Sequence, residues 1–135
     1  MVVPFPLGQV TLDQDTQQRD TQFIKNRDKF IRGLVASNPD NFLYNFRDAF
    51  GQPQPDGAQQ LGGWDSQTTR LRGHATGHYL SAIAQAYAGS AYDKELQANF
   101  LRKMNYIVDT LYDLSQKSGR PSASVSQLAS RFVVG

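Results

Sequence analysis

The sequence predicts an all-α protein made of antiparallel helix pairs, with about four main helices. Two observations support this prediction. Apolar residues recur at helical spacing in four stretches, and glycine or proline ends the last three of them. The predicted order is helix, helix, long loop, helix, helix. At 135 residues the chain corresponds to one domain or less, and a chain of that length can bury a core without a metal or disulfide.

The composition excludes several classes of function. The net charge is +2 and the basic residues are scattered, so we expect no nucleic-acid partner. No apolar run is long enough for a membrane span, and the start MVVPFPLGQV lacks the features of a signal peptide. The compartment therefore stays open. There is no cysteine, and Glu95 is the single glutamate, so thiol chemistry is excluded and carboxylate chemistry would depend on aspartates.

The first two predicted helices follow an extended lead-in over residues 1–12, where Pro4 and Pro6 oppose helix formation. The first helix is predicted from about Asp13 to Val35, with Asp13 and Asp15 at its N-terminal end. Its predicted core face is Phe23, Ile24, Phe30, Ile31 and Leu34. The second is predicted over residues 39–50, capped by Asn38 and stopped by Gly51. Its predicted core face is Phe42, Leu43, Phe46 and Phe50.

The second half begins with a loop over residues 51–71, rich in proline and glycine. The third helix is predicted over residues 73–87 and the fourth over about residues 92–118, with Ser90 and Asp93 as a variant capping box. The core stripe of the fourth helix is Leu96, Phe100, Met104, Ile107, Val108, Leu111 and Leu114. A serine-rich tail follows, and it permits a short helix.

The candidate functional segment is residues 61–88, LGGWDSQTTRLRGHATGHYLSAIAQAYA. On a helix, His74 and His78 are four residues apart and share a face. Gly73 and Gly77 lie on the adjacent face, where two glycines cost helix stability and suggest a close neighbour. A neutral imidazole both donates and accepts hydrogen bonds, as sugar hydroxyls do.

Two neighbours of the histidines complete the predicted sugar site. Trp64 offers a flat apolar face for sugar C–H groups, and Asp65 can accept hydrogen bonds from hydroxyls. Two alternatives stay open. Trp64 and the histidines can simply pin the loop to the helices. A histidine pair at this spacing can also bind zinc, although the residues between them include no general-base glutamate, so we predict no metal site.

These residues resemble the N-terminal part of the bacterial β-L-arabinofuranosidase family, glycoside hydrolase family 127 and its close relatives. The likeness rests on Gly62-Gly63-Trp64-Asp65 and on the run from Leu71 to Ala82, LRGHATGHYLSA. The segments Asn41–Arg47 and Lys103–Val108 resemble the second and fourth helices of the family. The likeness covers roughly residues 7–121. Residues 1–121 are thus expected to be a portion of the catalytic domain, and 122–135 a divergent tail.

The resemblance implies part of an (α/α)₆ barrel around a sugar site, and hydrolysis of terminal β-L-arabinofuranosides, such as those of plants, with retention. It places His74 in the sugar-binding wall, followed by His78, Trp64 and Asp65. The family usually has glutamate where this chain has Asp65. The resemblance also leaves a periplasmic or secreted location open.

The resemblance also implies a zinc-bound cysteine nucleophile and a glutamate acid/base, which have no counterpart in this chain. We therefore expect a fragment that binds sugar without cleaving it, has no cofactor of its own, and self-associates or packs on the missing C-terminal part. The alternative is a non-catalytic helical module that binds carbohydrate or protein.

Overall fold

The computed structural model describes residues 3–5, 9–10, 12–69 and 73–117, and within these ranges the protein is helical with no strand. Four α-helices follow one another: α1 (Gln22–Ala36), α2 (Pro39–Ala49), α3 (His74–Gly89) and α4 (Lys94–Lys117). A short 3₁₀ turn, Gly63–Asp65, lies between α2 and α3. The all-α prediction with four main helices is confirmed. The predicted tail, 122–135, lies outside the described residues.

The start of α1 differs from the prediction. The helix begins at Gln22, and the Thr21 side chain caps it by accepting a hydrogen bond from Ile24 N–H. Asp15 instead closes a turn of its own, because its carboxylate accepts from the N–H groups of Gln17 and Arg19. These bonds, chiefly the one from Arg19, hold the pKa of Asp15 below its ordinary value.

The core face of α1 is narrower than predicted. Ile24, Ile31 and Leu34 are buried, whereas Phe23 and Phe30 are 73% and 58% exposed. Each phenylalanine directly precedes a buried isoleucine, so it lies about 100° around the helix from the buried face. The prediction that both phenylalanines belong to the core is therefore wrong.

The caps of α2 and α4 follow from single polar residues. Asn38 caps α2 by accepting from Asp40 N–H, and Gly51 follows that helix with a φ of +61°. Asp93 Oδ1 accepts from the N–H groups of Glu95 and Leu96 and so caps α4. The predicted capping box, with Ser90 as the cap, is wrong because the Ser90 hydroxyl donates back to Tyr87 C=O.

The chain divides into two compact units. The first comprises Met1–Ser37 and Ser81–Arg102, and the second comprises Asn38–Leu80 and Lys103–Gly135. The first unit buries the α1 residues named above together with Ile83 and Phe100. The second unit carries the candidate site. Its buried apolar residues are Leu43, Tyr79, Leu80, Ile107, Leu111 and Leu114. Within the described residues, no helix has the length and apolar character needed to span a membrane.

A polar network inside the second unit ties α2 to α4. The Tyr106 hydroxyl donates to Asp40 Oδ1 at 2.6 Å and accepts from Arg47 Nη2 at 2.9 Å. Arg47 Nη2 is also 3.0 Å from Asp40 Oδ1 in an ion pair. Burial, and then the hydrogen bond to Asp40, raise the pKa of Tyr106 above its ordinary value. One hydroxyl therefore bridges both members of a nearly buried ion pair.

Replacing Tyr106 with phenylalanine should lower the free energy of unfolding by about 1–2 kcal/mol at pH 7, because hydrogen bonds to charged partners are lost. Because the pKa of Tyr106 is raised in the folded protein, the stabilisation from its protonated hydroxyl is fully present below the ordinary tyrosine pKa of about 10. It is lost as the pH rises through the higher pKa of the folded state. Urea unfolding at pH 7 and above pH 10 measures both effects. Tyr112→Phe is the matched control, since Tyr112 lies on the same helix and is exposed. An equal loss of unfolding free energy in Tyr106→Phe and Tyr112→Phe would contradict a stabilising role for the hydrogen bonds of Tyr106.

Candidate functional site

The long loop before α3 is held by polar contacts to α2. Asn45 Nδ2 donates to the Asp65 carbonyl at 2.6 Å, and Gln54 Nε2 donates to the Tyr44 carbonyl at 3.0 Å. The Asn41 side chain accepts from Gln59 N–H at 2.8 Å. Two of these contacts satisfy loop backbone groups, and the Gln54 side chain adds a bond to the backbone of α2. The 3₁₀ turn is consequently fixed against α2.

Asp65 joins this turn to α3. Its Oδ1 accepts a hydrogen bond from the His74 N–H at 3.1 Å, at the first residue of the helix. The interaction satisfies one of the otherwise unpaired N–H groups, and the negative charge lies at the positive end of the helix. The residue is 4% exposed. Its Oδ2 is buried without a hydrogen-bond partner in the described part of the chain.

The orientation of α3 is set by contacts on the face opposite the histidines. The Thr76 hydroxyl donates to the Phe42 carbonyl at 2.6 Å. One turn further, Tyr79 stacks on Phe42 with ring centroids 3.8 Å apart and planes within 3°. Because Thr76 and Tyr79 face α2, His74 and His78 are turned toward solvent, and both are exposed.

Trp64, His74 and His78 form an exposed aromatic cluster. The rings of Trp64 and His74 are 5.5 Å apart at 59°, and those of His74 and His78 are 4.4 Å apart at 86°. The two histidine Nε2 atoms lie 2.8 Å apart, which is a hydrogen bond. One Nε2 must therefore carry a proton while the other accepts it. The spacing prediction that the histidines share a face is confirmed.

The residues that hold the loop against the helices differ from the residues exposed beside the histidines. Asp65 and Asn45 hold the loop, while Trp64 is 54% exposed beside the histidines. Pinning thus falls mainly to residues that are buried, although the Trp64 carbonyl also accepts from the Thr69 hydroxyl. Asn45, Thr76 and Tyr79 were not singled out in the sequence. Asn45 carried a signal, because it is a polar residue within the apolar pattern of α2.

The two motif glycines have different roles. Gly73 precedes α3 with a φ of +89°, and a Cβ there would lie 3.1 Å from the Phe46 ring. Gly77 is within the helix, and a Cβ there would meet nothing within 4 Å in the described structure. The prediction that both glycines lie in the helix is therefore wrong for Gly73, and the described residues supply the expected close neighbour at Gly73 but none at Gly77. The described residues include no group of three or more side chains suited to hold a metal ion.

A comparison with known families matches the chain over residues 16–127 to the model described as β-L-arabinofuranosidase, GH127 catalytic domain. The matched region includes all four helices and the aromatic cluster. Curated proteins and solved structures gave no significant match.

The glycines give a paired test. Gly73→Ala should destabilise the protein by about 1–3 kcal/mol, because alanine is strained at positive φ and its methyl group would crowd Phe46. Gly77→Ala should instead stabilise it by about 0.5–1 kcal/mol, since alanine is the better helix former. Thermal and urea unfolding of both variants measure the difference. A loss at Gly77 as large as that at Gly73 would show that something packs closely on both.

Proposed function

We propose, since this chain belongs to the β-L-arabinofuranosidase GH127 catalytic-domain family, that its aromatic cluster binds the terminal arabinofuranosyl group of a carbohydrate. The observation that carries the proposal is the contiguous exposure of Trp64, His74 and His78 on a rigidly held helix start. The indole offers an apolar face to sugar C–H groups. The histidine pair offers donors and acceptors to hydroxyls.

The tautomers of the pair define what it offers a sugar. When both rings are neutral, the shared contact uses one Nε2–H and one Nε2 lone pair. One Nδ1 then accepts and the other donates, which matches the dual character of a hydroxyl. A bound hydroxyl can also displace the contact between the histidines.

Asp65 enters the proposal mainly as a positioning residue. Its Oδ1 fixes the His74 backbone, and its carbonyl is fixed by Asn45. The unpartnered Oδ2 keeps the capacity to accept a sugar hydroxyl, which would require a small opening of its buried position. A direct contact from Asp65 to sugar stays a prediction.

The chain lacks one residue type that the resemblance implies for bond cleavage. The resemblance implies a zinc-bound cysteine nucleophile and a glutamate acid/base, but the chain has no cysteine. Glu95 lies in the first turn of α4, outside the unit that carries the cluster. The residues present therefore do not fit the zinc centre. We propose that the chain contributes part of a sugar-binding wall and does not hydrolyse the glycosidic bond alone.

Binding is testable through the single tryptophan. Methyl β-L-arabinofuranoside should change the fluorescence of Trp64 saturably, and His74→Ala should weaken the apparent affinity about tenfold, as expected for one or two lost hydrogen bonds. Tyr112→Ala removes a comparably exposed aromatic side chain and should bind like the wild type. Calorimetry tests Trp64→Ala, which lacks the fluorophore. No response in a folded sample would contradict the proposal.

Hydrolysis is tested separately. The purified chain should release no p-nitrophenol from p-nitrophenyl arabinofuranoside above the uncatalysed rate. Release that disappears in His74→Ala would show that this chain is itself a catalyst and would overturn the second part of the proposal.

Self-association also remains a proposal. The exposed Phe23 and Phe30 on α1 support it, because large apolar side chains in water favour burial against a partner. Sedimentation equilibrium should show a dimer or larger species that Phe30→Ser weakens. A monomer across the concentration range would contradict it.

A further inference from the structure

We propose that His74 and His78 form a two-ligand binding site for copper(II), with nickel(II) as a weaker occupant. The two Nε2 atoms lie 2.8 Å apart, and both side chains are exposed on α3. Neutral imidazole is a preferred ligand of copper, nickel and zinc. The site is distinct in chemistry from sugar binding, although it uses the same two rings.

The distance between the nitrogens selects the geometry. Imidazole nitrogens lie about 2.0–2.1 Å from a bound metal ion. Two such ligands at 90° are then about 2.8–3.0 Å apart, whereas a tetrahedral angle separates them by about 3.3–3.4 Å. The observed Nε2–Nε2 distance is 2.8 Å. This separation therefore matches adjacent ligands of a square-planar ion such as copper(II), whereas a tetrahedral zinc ion would require the two nitrogens to move apart.

Proton balance is favourable for two neutral rings. The metal replaces the proton that the two Nε2 atoms share, and that proton moves to the Nδ1 of the ring that carried it. No net proton is released. Water completes the coordination, because the described residues provide no third histidine or carboxylate ligand.

The surrounding charges act in opposite directions. The positive end of α3 disfavours a cation, and the Asp65 carboxylate bonded to the His74 N–H offsets it. The sequence predicts no metal site because the residues between the two histidines lack the glutamate of a zinc hydrolase. That glutamate is a catalytic base, and a two-histidine chelate does not require it.

Titration with copper(II) in a non-chelating buffer tests the site. Copper should quench Trp64 fluorescence, because the indole lies 5.5 Å from the His74 ring. His78→Ala should weaken the apparent affinity at least tenfold, since even loss of an outer-shell partner costs about 10–100-fold. Gln85→Ala changes an exposed residue on the same helix and should leave the titration unchanged. Circular dichroism verifies that each variant folds.

Electron paramagnetic resonance identifies the ligands directly. The chain has only two histidines, so coupling to two imidazole nitrogens in the wild type must come from this pair. One imidazole nitrogen should remain in His78→Ala. Coupling to one or no nitrogen in the wild type, equal quenching in both proteins, or tighter binding of zinc than of copper would overturn the proposal. A sugar titration without copper is independent of all three outcomes.

Discussion

The hydrogen bond from the His74 N–H to Asp65 is the contact on which the candidate site depends. It connects the 3₁₀ turn that carries Trp64 to the first residue of the helix that carries both histidines. It therefore holds the turn beside the helix start, where the Trp64 and His74 rings are 5.5 Å apart. A buried carboxylate at the helix start also offsets the positive helix end beside the exposed rings. Asp65 therefore determines the geometry of the site even though it contributes little of its surface.

The α2 helix supplies the rigid support behind this contact. Asn45 fixes the Asp65 carbonyl, and Phe42 receives both the Thr76 hydroxyl and the Tyr79 ring. Two neighbouring turns of α3 are thereby fixed on the same helix that holds the loop. The buried Arg47 and the half-buried Asp40 in turn fix α2 to α4 through Tyr106. The exposed cluster thus rests on successive layers of satisfied polar and stacked contacts, as a preorganised binding surface requires.

Local signals predicted much of this fold, and their failures have physical causes. Asn38-Pro39 marked the start of α2 because capping and a fixed φ act within two residues. Spacing placed His74 and His78 on one face because residues four apart are neighbours on the surface of a helix. The prediction that α1 starts at Asp13 and Asp15 failed because an aspartate can either cap a helix or close a turn of its own. Local sequence does not decide between these two roles. The prediction that Phe23 and Phe30 are buried failed because hydrophobicity does not specify which side of a broad apolar helix face other elements cover.

The role of Asp65 could not be predicted from sequence, because its partner lies nine residues away across a loop. The contact occupies Oδ1 at the helix start, while Oδ2 is buried. The sugar contacts proposed above therefore fall mainly to the indole and the two imidazoles, and the separation of the imidazole nitrogens is also the basis of the proposed copper site.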